Sequence, residues 1–108
     1  MNTGELKANA RKASILLKAM SNERRLLILC SLAEGELSVG QMEGIVDLSQ
    51  SALSQHLARL RHDGLVATRR DAQTIYYSLK GDEARTVIQT LYDLYCKPAV
   101  ARADAAAD

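Results

Sequence analysis

The chain has 108 residues, with 14 Lys+Arg against 13 Asp+Glu, two Cys, one Pro, and neither Trp nor Phe. That length suits one core rather than two, and 47% hydrophobic with 25% charged residues is an ordinary globular balance rather than that of a disordered chain. Four aromatics, all Tyr, leave little for the pocket of a bulky cofactor, and the longest apolar-rich run, 26–33, falls far short of the roughly 20 residues of a membrane span.

Leu6, Ala10, Ala13, Leu17 and Met20 recur at helical spacing and predict a first helix over 5–20. Ser21 and Asn22 can cap a second, which carries Leu26, Leu29, Cys30 and Ala33 on one stripe and ends near Gly35. Ser38 followed by Gln41 has capping-box spacing and opens a short third helix to about Val46. After the turn Asp47-Leu48, Ser49 caps a fourth helix from Gln50 to about Asp63, and Gly64 supplies the left-handed exit. The period then changes. Segments 65–70 and 74–79 are rich in strand formers, with polar Asp71-Ala72-Gln73 between them, and predict a β-hairpin. Ala84, Val87, Ile88, Leu91 and Tyr95 restore a helical stripe that stops before Pro98. Residues 99–108, with six alanines and no sustained apolar face, read as a disordered tail to a single domain over 1–98. The order helix, helix, helix, helix, hairpin, helix is α+β, mostly α.

The start Met1-Asn2-Thr3-Gly4-Glu5 lacks the basic and apolar regions of a secretory signal, so a cytoplasmic location is expected. Two cysteines in that compartment are reduced thiols rather than a structural staple. Charge is unevenly spread. Residues 50–80 hold Arg59, Arg61, Arg69, Arg70 and Lys80 against Asp63 and Asp71, a net +3, while the remainder sums to −2. A basic middle in a near-neutral chain is consistent with a polyanion on one surface, although a solvated charged face is the commoner cause.

Two short helices joined by a tight turn make a helix-turn-helix candidate. Leu53, Leu57 and Leu60 recur at i, i+4 and i+7 and pin one face of the fourth helix to the core. The opposite face shows Gln50, Ser51, Ser54, Gln55 and Arg59. Gln pairs bidentately with adenine, Ser bonds base edges, and Arg suits guanine or phosphate. His56 fits the core edge or a phosphate. The hairpin, with Arg69, Arg70 and Gln73, then acts as a wing, and because Arg69 and Arg70 alternate along a strand only one of them need face DNA. A Ser/Gln-rich face alone would favour an ordinary exposed helix; its place between a short helix and a basic hairpin favours double-stranded DNA.

Four blocks carry a family resemblance: residues 16–25 (Leu16-Leu17-Lys18-Ala19-Met20-Ser21-Asn22-Glu23-Arg24-Arg25), Glu36-Leu37-Ser38-Val39-Gly40-Gln41, residues 48–57, and Leu60-Arg61-His62-Asp63-Gly64-Leu65-Val66. Together, over about 10–97, the chain resembles the winged-helix repressors of the ArsR/SmtB family. The resemblance implies a winged helix-turn-helix, a homodimer through the first and last helices, and a near-palindromic operator. The apolar stripes of those two helices extend beyond what so small a core needs, which agrees with an isologous interface. Where many relatives have Pro-Thr in the recognition helix, this chain has Ser51-Ala52, so no threonine contact carries over to Ala52.

Metal sensing is disfavoured. Where metal-binding relatives have Glu-Leu-Cys-Val-Cys, this chain has Glu36-Leu37-Ser38-Val39-Gly40, and 82–96 offer Asp82, Glu83 and Asp93 without His. No metal and no cofactor is expected. The pair Cys30 and Cys96 remains. Either could be an inert small hydrophobe, but the last turn of a helix is a poor place to bury Cys96. Their positions, with Glu23-Arg24-Arg25-Leu26-Leu27-Ile28-Leu29-Cys30 and Leu91-Tyr92-Asp93-Leu94-Tyr95-Cys96, are similar to the sulfide- and redox-responsive dithiol branch of the family, the BigR, SqrR and above all HlyU type. That likeness implies that a persulfide, polysulfide or other oxidant links the two thiols and lowers operator affinity. Two other readings stand beside it: a constitutive anti-silencing regulator that displaces a nucleoid protein, with structural cysteines, and a thiol oxidoreductase. The last is disfavoured, since the chain has no Cys-x-x-Cys and no strand-helix-strand scaffold, so no enzyme is expected.

Overall fold

The computed structural model describes residues 2–96. Helix α1 spans Thr3–Met20 behind Asn2, whose side chain accepts the Glu5 N–H at 2.8 Å. Helix α2, Glu23–Ser31, starts where Asn22 Oδ1 accepts from Arg24 and Arg25 at 3.0 and 3.1 Å. Ser21 belongs instead to the end of α1, its hydroxyl donating to the Lys18 carbonyl.

α2 stops short of the expected end near Gly35. The Ser31 hydroxyl donates to the Ile28 carbonyl at 2.6 Å, and the Leu32 and Ala33 N–H groups reach back only three residues, to Leu29 and Cys30. This tightened turn takes Ala33 out of the helical stripe. The chain then passes through Gly35 at φ 143 into strand β1, Leu37–Ser38. Sequence reading missed β1, because two residues are too few for strand alternation to show.

Ser38 and Gln41 form the expected capping box: Ser38 Oγ accepts the Gln41 N–H at 3.2 Å and Gln41 Oε1 accepts the Ser38 N–H at 2.9 Å. They open α3, Val39–Val46, which ends on Asp47 in a left-handed conformation (φ 51). Ser49 Oγ accepts the Ala52 N–H at 3.1 Å and opens α4, Gln50–His62, closed by Gly64 at φ 78.

Strands β2 (Val66–Asp71) and β3 (Thr74–Leu79) form the hairpin, one residue later at β2 than the sequence suggested. Its two-residue turn puts Ala72 at φ 56. The sheet runs β1-β3-β2, antiparallel throughout. Helix α5, Asp82–Tyr95, follows Gly81 and ends at Cys96. The tail at 99–108 and the last two residues of the expected domain, 97–98, lie outside the described residues.

The core gathers Ile28 and Leu29 of α2, Met42 and Val46 of α3, Leu53, Leu57 and Leu60 of α4, Val66 and Leu79 of the sheet, and Ile88 of α5. The three α4 leucines are fully buried, each worth about 1.5–3 kcal/mol over an exposed side chain. The recognition helix is thus held rigidly by its inner face, and its outer face is free to be polar.

Candidate DNA interface and thiol pair

At 100° per residue, Ser51 and Gln55 project opposite the Leu53, Leu57 and Leu60 stripe. Ser51 and Gln55 are exposed, as are Gln50 and Ser54 on one flank. The other flank carries half-buried His56 and exposed Arg59. Arg59 Nε donates to Asp63 Oδ2 at 3.3 Å. Its side chain lines a cleft of about 520 Å³ with Lys12 and Leu16 of α1 and Gly81 before α5. Arg59 therefore turns toward α1 and α5, away from the face that Ser51 and Gln55 form. At the start of α4 the cap satisfies the Ala52 N–H, and helix geometry leaves those of Gln50 and Ser51 pointing outward, as a phosphate requires.

The two wing arginines differ sharply. Strand register pairs Val66 with Leu79, Thr68 with Tyr77 and Arg70 with Ile75, so Arg70 shares the face of the sheet that packs on the core. Beyond the core edge it is exposed near the hairpin tip, with Gln73 exposed in the turn itself. Arg69 lies on the opposite face, across from Tyr76. Its guanidinium is bound in a fork by Glu36, with Nε to Oε2 at 3.1 Å and Nη2 to Oε1. It also sits 4.7 Å from the centroid of the Tyr76 ring. The hydrogen bonds from Arg69 hold the Glu36 carboxyl below its usual range. Of the two arginines, Arg70 is the one without an engaged charge.

Cys30 is half-buried on α2 against the core, and Cys96 is exposed at the end of α5; both are free thiols. α5 packs against α2, and the fold brings the two into one corner, near enough for the Cys96 sulfur to act on the Cys30 thiol. Burial first, and then the neighbouring sulfur, pushes the Cys30 thiol above its ordinary pKa. The protonated form is thereby favoured at Cys30, while Cys96 is the sulfur that solvent and solutes reach.

Beside the thiols stands a second link that sequence reading missed. The Tyr92 hydroxyl donates to Glu34 Oε1, which also raises the Tyr92 pKa. Tyr92 lies four residues before Cys96 and Glu34 four after Cys30, but α2 ends at Ser31, so Glu34 lies beyond its helical register and spacing along the chain did not disclose the link. Among the described residues no group of three or more His, Cys, Asp or Glu could hold a metal ion, and no helix is long and apolar enough to cross a membrane.

Residues 22–68 match the bacterial regulatory protein, arsR family. The chain is 57% identical over 97 residues to the transcriptional activator HlyU of Vibrio cholerae, covering 90% of each protein. It is 43% identical over 93 residues to the biofilm growth-associated repressor of Agrobacterium fabrum, covering 86% of this chain and 80% of that one. The crystal structure of the transcriptional regulator HlyU from Vibrio vulnificus superposes with a TM-score of 0.85 at 58% identity, over 89% of this chain and all of the other.

Proposed function

The chain belongs to the ArsR family of bacterial regulatory proteins and is a DNA-binding transcriptional regulator; from that premise we propose that it is a homodimer whose operator affinity falls when Cys30 and Cys96 become covalently linked. The placement of the two free thiols in the corner where α5 packs on α2 carries this reading. α1 exposes Leu6, Ile15 and Leu17, and α5 exposes Leu94 and Tyr95, an apolar surface suited to a second copy. In each protomer Ser51, Ser54, Gln55 and Gln50 read base edges and Arg70 with Gln73 anchors the wing on the backbone. Arg59, Arg69 and His56 contribute to the field and the framing of that surface.

The chemistry balances with a polysulfide as oxidant. The exposed Cys96 thiolate attacks a polysulfide sulfur, an S–S bond breaks, and a shorter polysulfide leaves, so that Cys96 becomes a persulfide. Cys30 loses its proton to solvent and attacks Cys96 Sγ, expelling the outer sulfur as hydrosulfide and closing a disulfide. Two thiols have then given up two electrons and two protons. A longer bridge takes one more sulfur from a second equivalent. Because the bridge joins α2 to α5, and α5 carries part of the apolar dimer face, it alters the spacing of the two recognition helices. A bias of about 1–3 kcal/mol between two dimer forms suffices to release DNA.

The test is operator binding, on a site selected from random duplex DNA, by reduced and polysulfide-treated protein with Cys30→Ser and Cys96→Ser in parallel. The expected result is a loss of affinity in the native protein and no loss in either variant. Unchanged affinity in native protein that mass spectrometry shows to be bridged overturns the switch. One relative is named an activator and one a repressor, so the direction of control is open to a second reading, a constitutive regulator with structural cysteines that acts by displacing a nucleoid protein. Footprinting with and without that competitor separates it from direct repression.

A further inference from the structure

We infer that the segment Glu34-Gly35-Glu36 is a bracket that carries the state of the thiol pair to the wing. The inference rests on the dithiol reading above and adds the route by which one end of the molecule governs the other.

At its first end the bracket is tied to α5. Tyr92 donates to Glu34, and the Tyr92 carbonyl accepts the Cys96 N–H at 2.8 Å, so Tyr92 and Cys96 move as one helical turn. At its second end the bracket is tied to the sheet. Glu36 takes the Arg69 guanidinium in a fork, and Arg69 lies over Tyr76 of the neighbouring strand. Tyr76 is in register with both Arg69 of β2 and Ser38 of β1, so the contact spans the sheet.

Between the two carboxylates sits Gly35 at φ 143, a conformation that L side chains rarely adopt, with nothing within 4 Å of where a Cβ would stand. The joint is free in space and depends on glycine only through its backbone. It is also the residue through which a shift of Glu34 must pass to reach Glu36. Bond formation draws two free sulfurs to covalent distance, and the last turn of α5 moves toward α2. Tyr92 either carries Glu34 along or releases it. In both cases Glu36 changes its hold on Arg69, whose β2 neighbour is the exposed wing cation Arg70. Each pair is solvent-exposed and by itself stabilises little; the forked geometry of Arg69 on Glu36 fixes orientation rather than supplying energy.

The experiment compares Tyr92→Phe and Glu36→Gln with the native protein. For each, operator affinity is measured in the reduced form and in the polysulfide-bridged form, with bridging verified by mass. The native protein loses affinity on bridging, and each variant, scored against its own reduced form, loses at least threefold less. Variants that bridge and lose as much affinity as native protein overturn the bracket and leave the dithiol switch standing. A native protein that bridges and loses none overturns the switch itself, and the bracket with it. A second measurement needs no variant: on bridging, amide exchange changes both at 34–36 and in the hairpin at 66–79. A change confined to the thiol corner, ending at Gly35, overturns the proposal.

Discussion

The recognition helix and the thiol corner are built by opposite rules. The cap, the buried stripe and the exit residue of α4 all lie between Ser49 and Gly64, each within a few residues of what it acts on. The thiol corner is assembled from distant parts. Tyr92 and Glu34 are 58 positions apart, and Cys30 and Cys96 come from α2 and the end of α5. Local construction makes the DNA-reading surface rigid; non-local construction from a few exposed polar contacts makes the other region easy to shift. A switch needs both, since a signal has to move something that is otherwise firmly set.

The largest effect that would break this comparison lies in the shared core. Leu57 is fully buried on α4, and Leu57→Ala is expected to cost about 2–5 kcal/mol of folding stability. Urea unfolding measures it, and both DNA binding and thiol pairing should fail together. A loss below 1 kcal/mol would mean that α4 is not held by its inner face.

Next come the changes that separate reading from anchoring. Gln55→Ala, and likewise Gln50→Ala or Ser54→Ala, is expected to weaken a selected operator by about 1–3 kcal/mol while leaving random DNA nearly unaffected. Arg70→Ala should weaken both kinds of DNA and lower the salt slope by about 1. Arg69→Ala should change that slope less than Arg70→Ala, because Glu36 already neutralises Arg69. A larger slope change for Arg69→Ala than for Arg70→Ala would mean that the wing meets DNA by the other face. Binding titrations across a range of salt decide it.

The same division explains what the sequence disclosed. Caps at Asn22, Ser38 and Ser49, the stripe of Leu53, Leu57 and Leu60, and the glycine at 64 are local signals, and each stands where the spacing of residues put it. The end of α2 was placed too late because a serine hydroxyl turned back onto the Ile28 carbonyl, a bond that no periodicity reveals. β1 escaped notice because its pairing partner, Tyr76-Tyr77, is far along the chain. The alternation of Arg69 and Arg70 showed that they point apart, but which one stays uncommitted depends on Glu36, and only the fold brings that carboxylate near. Cys30 and Cys96 were visible as a pair through family likeness; their nearness is a property of how α5 lies on α2.

Smaller in magnitude is the α4 cap. Ser49→Ala removes the acceptor of the Ala52 N–H and is expected to cost about 1 kcal/mol. Thermal unfolding should register it. Because the frayed turn carries Gln50 and Ser51, operator binding should weaken while thiol bridging proceeds at the native rate. Slower bridging in this variant would show that the two regions are less independent than their construction implies.

The smallest effect is a pH dependence that belongs to the thiol corner alone. Burial and the Cys96 sulfur raise the Cys30 pKa in the folded chain, whereas in the unfolded chain the thiol titrates near its ordinary value of about 8.5. The native state therefore holds the Cys30 proton more tightly than the unfolded state. The stability this supplies is fully present below the unfolded value and is lost as pH rises through the folded one. Unfolding midpoints of native protein and Cys30→Ser, followed from neutral to alkaline pH, should diverge in one direction, with the native protein losing stability faster above the ordinary thiol range. The same protonation sets the order of chemistry. Cys30 closes the bridge faster as pH rises, because the thiolate is the form that attacks, so the second step of bridging should accelerate with alkalinity until Cys30 has titrated. A closing rate independent of pH would show that release of the leaving sulfur, rather than attack by Cys30, limits the switch.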